Sequence, residues 1–203
     1  MRPTRHKRLE QPRETVLQAT LDAIAENGLE AMTMAALGKR LGISAGHILY
    51  YFGSKDRLLV ETLRWSEDRL GADRRELLAR PATALVRLAG YIDLYLPEGR
   101  ADPRWTVWIA VCGRSLNDAE VLEAGDEIER TWADDLADLL GEGAAAGEWA
   151  PLDDTRRADF TARLHGMLDG FALQIVIGAP GADRAGRAAH ALAYARMELG
   201  LGH

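Results

Sequence analysis

The sequence predicts an all-α chain of about nine helices, and three observations predict it. Of its 203 residues, 33 are Ala and 29 Leu against 7 Val and 8 Ile, so strong helix formers outnumber β-branched residues about four to one. Apolar residues recur three and four apart along most of the chain, the spacing that builds one face of a helix. Glycine, proline and short capping side chains interrupt these runs at helix-sized intervals. An apolar content of 47% is enough to bury a core, which excludes disorder as the main state.

The first helix runs from Glu14 to Asn27 on Val16, Leu17, Leu21, Ile24 and Ala25, and Asn27-Gly28 stops it. Thr33 caps a short second helix with Met34, Leu37 and Leu41, ended by Gly42. Ser44 caps an equally short third with Ile48, Leu49 and Phe52, ended by Gly53. Ser54 opens a longer fourth through Leu58, Leu59, Leu63 and Leu70 toward Leu77, with a weak point expected at Gly71. Pro81 suits the first turn of a fifth helix that ends at Leu96, ahead of Pro97 and Gly99. Pro103 opens a sixth, reaching Cys112 or Arg114. Asn117 and Glu120 have capping-box spacing before the seventh, expected to be the longest, which carries Val121, Leu122, Ile128, Trp132, Leu136, Leu139 and Leu140 to the glycine-rich stretch at 141–147. An eighth spans Asp154 to Ile177, and a ninth, rich in alanine, spans Asp183 to Leu199.

The net charge of −6 argues against nucleic acid until the chain is divided. Up to Trp65 there are 10 Lys+Arg and 7 Asp+Glu, giving +3; the remainder has 15 against 24, giving −9. A basic module is thus joined to an acidic one. The expected organisation is a basic arm at 1–13, a DNA-binding unit at 14–54 and a ligand-binding and dimerisation unit at 55–203. The arm carries Arg2, Arg5, Lys7, Arg8 and Arg13 against Glu10 alone, and reads either as a solvated tail or as a segment that reaches phosphates or a minor groove.

Other classes find little support. The single cysteine, Cys112, cannot form an intramolecular disulfide, and no Cys/His metal spacing is present, which fits a reducing cytoplasm. No run of 18 apolar residues suggests a membrane span. Histidines 6, 47, 165, 190 and 203 are scattered, and HExxH, phosphate-loop and GxSxG patterns are missing, so no catalytic residue, cofactor or metal is expected.

The informative stretch is Thr33 to Leu59. Two short helices meet at a glycine turn, with Leu37, Leu41, Ile43 and Ile48 placed to pin them together and expose the start of the second: a helix-turn-helix. That exposed face offers Ala45, Gly46, His47 and Tyr50. The small residues permit close approach, while His47 and Tyr50 can bond or stack on base edges. These residues resemble the TetR family of bacterial transcriptional regulators. The resemblance rests on Thr33, Leu37, Gly42-Ile43-Ser44, Gly46, Tyr51-Phe52, Ser54-Lys55 and Leu58-Leu59. It implies phosphate contacts from Lys55, Thr33 and Tyr51, base reading by His47, Tyr50 and the Gly46 backbone near Ser44 and Ala45, and weaker help from Arg5 and Lys7. Leu49 departs from the family, which has a phosphate-contacting tyrosine there. That departure, the Phe52-Gly-Ser-Lys-Asp56 run and the spaced tryptophans look like the BetI-type subgroup.

The resemblance implies a homodimeric repressor on a palindromic DNA operator, released by a small-molecule effector; the subgroup points to choline-like cations. Trp105, Trp108 and Cys112 on one helix face, with Trp132, are the expected effector pocket, although tryptophans at helical spacing also fit ordinary core. Leu164, Leu168, Phe171, Ile175, Ala188, Ala191 and Ala195 are the expected dimer surface, with internal packing as the alternative. The acidic balance and Leu49 leave one rival reading, a helical interaction module that has lost specific DNA binding.

Overall fold

The computed structural model describes residues 12–115 and 119–202. Among them are nine helices and no strand: α1 (Arg13–Ala31), α2 (Met34–Leu41), α3 (Ala45–Phe52), α4 (Lys55–Leu78), α5 (Ala84–Tyr95), α6 (Pro103–Ser115), α7 (Ala119–Ala145), α8 (Asp154–Ile177) and α9 (Arg184–Glu198). The capping signals act as the sequence implies. The hydroxyls of Thr33, Ser44 and Ser54 accept from the N–H groups of Ala36, His47 and Arg57, starting α2, α3 and α4. α1 breaks at Gly28, where φ is 77°, and only one further turn follows. The α2–α3 turn needs Gly42 in the left-handed region, at φ 70°. The crossing of these two helices is so close that a Cβ at Gly38 would stand 2.6 Å from the Ile43 carbonyl oxygen.

Three features differ from expectation, and long-range contacts account for two of them. α4 runs unbroken through Gly71, which is buried. α5 begins at Ala84 rather than at Pro81, because its first turn is capped twice. Thr83 accepts from the Val86 N–H, and the Glu148 carboxylate, from the loop after α7, accepts from Ala84 and Leu85 at 2.6 and 3.0 Å. α7 continues past Gly141 and Gly143 to Ala145. The indole of Trp149 folds back onto Gly143 and donates to the Leu140 carbonyl at 2.9 Å, so the glycine is there for closeness and not to end the helix. Asn117 and the arm residues Arg5 and Lys7 lie outside the described residues, as does the side chain of Glu120.

Three apolar clusters organise the chain. The first, of Val16, Leu17, Leu37, Ile48, Phe52 and Leu58, closes the helix-turn-helix. The second, of Ile24, Met32, Leu59, Leu63, Val107, Val111 and Val121, binds α1 and α4 to α6 and α7. The third fills the space between α5, α6, α7, α8 and α9. Trp108 and Ile128 touch both the second and the third.

Gly143→Ala would push a methyl into the Trp149 ring, and overpacking of this kind costs about 1–3 kcal/mol. We expect a lower urea midpoint with unchanged m-value, together with a change in tryptophan emission. An unchanged midpoint would show that Trp149 can yield freely.

Candidate functional site

Two regions of the chain combine exposure or cavity with unusual chemistry. The first is the exposed side of α3. Tyr50 is 64% exposed and Leu49 39%, uncommon for an aromatic and a leucine on so short a helix. Ile48 and Phe52, on the opposite side, are buried in the first cluster and fix the rotation of α3. Tyr51 and His47 are half-buried and stand edge to face with ring centroids 5.2 Å apart, and Tyr50 meets Tyr51 at the same distance. Gly46 is exposed and Ala45 half-buried, so the α3 backbone is accessible at its first turn. The hydroxyls of Thr33 and Ser44 accept backbone N–H groups as caps, which leaves each hydroxyl proton free to donate outward. Lys55 occupies the first turn of α4 and makes no ion pair among the described residues. The exposed Lys39 on α2 likewise makes no ion pair among the described residues, whereas neighbouring Arg40 is held to α1 by Glu26 at 2.6 Å. The tightly paired Arg13 and Glu61 tie α1 to α4, with the guanidinium 5.0 Å above the Phe52 ring.

The second region is a small cavity of about 20 Å³ lined by Glu67, Tyr95, Arg104, Trp105, Trp108, Ile128, Glu129 and Trp132. That volume is about one water molecule, so any organic ligand must displace side chains to enter. Its walls are aromatic and hydrogen-bonded to one another. Trp105 Nε1 donates to the Tyr95 carbonyl at 3.2 Å, and Trp132 Nε1 donates to the Glu67 carboxylate at 3.0 Å. The rings of Tyr95 and Trp132 meet edge to face at 4.8 Å. Behind Trp132, the guanidinium of Arg74 lies 4.0 Å over the indole and is paired with Asp135.

A polar layer connects α5 to α8 around this cavity. The Tyr95 hydroxyl donates to Asp169 at 2.7 Å. The Tyr91 hydroxyl donates its single proton to the Trp132 carbonyl at 2.7 Å, so its 2.8 Å contact with His165 must be accepted from Nε2–H. Burial, followed by the charge of Arg74, brings the His165 imidazole down to about 4, and the ring is neutral at pH 7. Burial keeps both tyrosines well above their ordinary range and protonated. Burial also raises Asp169, and it raises Glu129 together with the charges of Asp169 and Asp126. The neighbourhood of Glu129 therefore has a surplus of negative charge. Glu129 also lines the open α7–α8 groove, of about 930 Å³, which the half-buried His165 and Asp169 line as well.

Of the four residues expected to form a pocket, the fold brings together Trp105, Trp108 and Trp132. Cys112 is a correction. One turn beyond Trp108, it sits outside the cavity on the exposed side of α6, and partial burial with the charges of Glu129 and Asp169 pushes its thiol up to about 11. The expected dimer surface is also corrected. Leu164, Leu168, Ile175, Ala191 and Ala195 are buried in the chain's own third cluster, while Phe171 and Ala188 are half-buried beside it. The chain spent its largest apolar stripe internally. The outward stripe is offset from it, with Ala162, Gly166, Gly170, Leu173 and Ile177 on α8 and Ala185, Ala189, Ala193 and Met197 on α9.

Sequence reasoning missed Glu67, Tyr91, Tyr95, Arg104, Glu129, His165 and Asp169. A signal existed in two pairs spaced one turn apart, Tyr91 with Tyr95 and His165 with Asp169, each set into an otherwise apolar helix face.

Comparison with known proteins adds an independent line. Residues 16–62 match the family described as bacterial regulatory proteins, tetR family, and residues 84–200 match the family described as BetI-type transcriptional repressor, C-terminal. The HTH-type transcriptional regulator BetI of Burkholderia cenocepacia (strain HI2424) is 32% identical over 108 residues, which cover 52% of this chain and 56% of that protein. BetI of Rhizobium meliloti (strain 1021) is 30% identical over 115 residues, 54% of each chain. The chain thus spans little more than half the length of these curated relatives. The fold is similar to that of a putative transcriptional regulator from Saccharomonospora viridis solved in complex with choline, with TM-score 0.79, 24% identity, and coverage of 90% of this chain and 94% of that one. It is also similar to FadR from Bacillus subtilis solved with stearoyl-CoA, with TM-score 0.70, 20% identity, and coverage of 95% and 100%.

The neutral state of His165 makes a pH prediction. With its folded value near 4 and its unfolded value near 6.5, the unfolded chain binds the extra proton between them. Stability falls as pH drops through that window, by up to about 3 kcal/mol from this group alone. The raised Glu129 and Asp169 act in the opposite sense, gaining stability on acidification. Comparing urea midpoints at pH 7 and pH 5, His165→Gln should lose less stability on acidification than the parent chain. Equal losses would rule out a buried neutral His165.

Proposed function

Because the chain belongs to the TetR family of bacterial regulators, with a BetI-type C-terminal domain, we propose that it is a homodimeric transcriptional repressor whose hold on a palindromic operator is released by a small cationic effector. The observation that carries this reading is the path of α4. Lys55 stands at its start beside the α3 face, and Glu67, twelve residues on, holds Trp132 and Arg104 in the cavity wall. At 1.5 Å per residue these two points are about 18 Å apart on one rigid helix. A ligand that widens the cavity moves the same rod that sets the position of the reading helix.

In a dimer on B-DNA, two copies of α3 must sit about 34 Å apart to meet successive major grooves. An effector that favours another spacing weakens DNA binding by the factor by which DNA weakens effector binding, typically about 5- to 150-fold. Gly46, His47 and Tyr50 are the proposed base readers, with Ser44 and Ala45 bringing the backbone close. Thr33, Tyr51 and Lys55 serve the phosphates, and Arg5 and Lys7 extend from the arm. The outward stripe of α8 and α9 supplies the proposed dimer surface: its small residues let helices approach closely, and Leu173, Ile177 and Met197 are 45%, 59% and 62% exposed in the single chain. For the effector, edge-on aromatic rings and the uncompensated carboxylates Glu129 and Asp169 favour a cation. The choline found in the Saccharomonospora viridis regulator supports that chemistry.

Fluorescence anisotropy with duplexes from the chain's own upstream region tests the reading. We expect salt-sensitive, competitor-resistant binding that choline weakens at least fivefold. Lys55→Ala should lower affinity for all sequences alike and reduce the salt slope by about 1 per contact, whereas Tyr50→Ala should cost about 1–3 kcal/mol on the operator alone. Absence of sequence-preferring binding at low salt would instead favour an interaction module.

A further inference from the structure

The cavity is polar in an ordered way. At its α7–α8 side, Glu129 makes no ion pair among the described residues, and Asp169 adds a second carboxylate nearby. At its α4 side the charges already balance. Arg104 Nη1 donates to Glu67 Oε1 at 3.1 Å, and these side chains are only 18% and 10% exposed. Arg104 also donates to the Tyr95 carbonyl at 3.0 Å, and its guanidinium carbon lies 5.4 Å from the Trp105 ring centre. Two of its roughly five N–H donors are used in this way, and the side chain still lines the cavity. As packing, the pair contributes little, because the desolvation of two charges offsets their attraction. As a recognition element it is specific: a fixed donor fork with no net charge to give away.

We propose that Arg104, neutralised by Glu67, is the specificity-determining residue of the cavity and reads an uncharged oxygen on a short arm of a cationic ligand. The inference rests on the cation reading of the cavity given above. The onium centre sits toward Glu129 and Asp169 among the aromatic rings, and the arm points toward α4, where its hydroxyl or carbonyl oxygen accepts from the guanidinium. A carboxylate on that arm is a poorer fit, since it brings a second anion beside Glu67. A ligand without an oxygen leaves the fork unmatched, and a site built to hydrogen-bond a group discriminates strongly against its absence.

Isothermal titration of the full chain with tetramethylammonium, choline and glycine betaine separates these cases. We expect choline to bind at least tenfold more tightly than tetramethylammonium, about 1.4 kcal/mol, and more tightly than glycine betaine. Arg104→Met should reduce the choline to tetramethylammonium ratio below threefold. Glu67→Gln should shift preference toward glycine betaine, because the repelling charge is gone and the indole bond to Trp132 is retained. If Arg104→Met does not fold by thermal unfolding, Arg104→Lys keeps the charge and loses the fork, and should lower the same ratio at least threefold. Binding with an unchanged ratio in the folded variant overturns the role of Arg104 and leaves the cation reading intact. Failure of all three probes to bind the parent chain overturns the cation reading and this inference with it.

Discussion

The structure depends on α4 being a single uninterrupted rod. Leu58 closes the helix-turn-helix cluster, Leu59, Val60 and Leu63 enter the middle cluster, and Leu70, Leu77 and Leu78 pack against the C-terminal one. The polar residues of α4 follow from the same constraint. Glu67 lines the cavity and accepts the Trp132 indole N–H at the edge of the ring, while Arg74 stacks over one face of the same ring. Gly71 between them is buried within the continuous helix.

The electrostatics divide along this rod. The sequence up to Trp65 carries a net +3, and Lys39 and Lys55 near α3 make no ion pair among the described residues, which suits the proposed phosphate contacts. Of the net −9 beyond it, part is concentrated around Glu129 and Asp169, neither of which forms an ion pair among the described residues. On the proposed DNA-binding reading, so few basic groups imply weak non-specific affinity, with recognition resting on a dimer and on a small number of well-placed contacts. Inside the cavity region His165 stays neutral, so the positive charges of Arg74 and Arg104 are the ones set against these carboxylates, and both are spoken for by Asp135 and Glu67.

Much of the fold was legible because its signals are local. The caps at Thr33, Ser44 and Ser54, the left-handed Gly42 and the helical spacing of Leu37, Leu41 and Ile48 depend only on neighbours within a turn or two. The misread boundaries all involve partners distant in sequence. Glu148 caps α5 from sixty-three and sixty-four residues away, and Trp149 turns Gly143 from a helix end into a contact surface. For the cavity, tryptophan spacing located three walls, but Cys112 shared the spacing without sharing the face. Helical periodicity specifies a direction around one helix and says nothing of which direction its neighbours will cover.

By itself, then, the sequence determined an all-α chain, its helix-turn-helix and the family to which these belong, because each is written in short-range patterns of capping, spacing and glycine. Only the tertiary structure decided which apolar stripe of α8 and α9 is core and which faces outward, since both stripes are apolar and a chain first satisfies its own interior. It also decided the chemistry of the cavity. Tyr95, Glu67, Arg104 and Asp169 come from four helices, and no interaction among them exists until packing takes their side chains out of water and makes each need a partner.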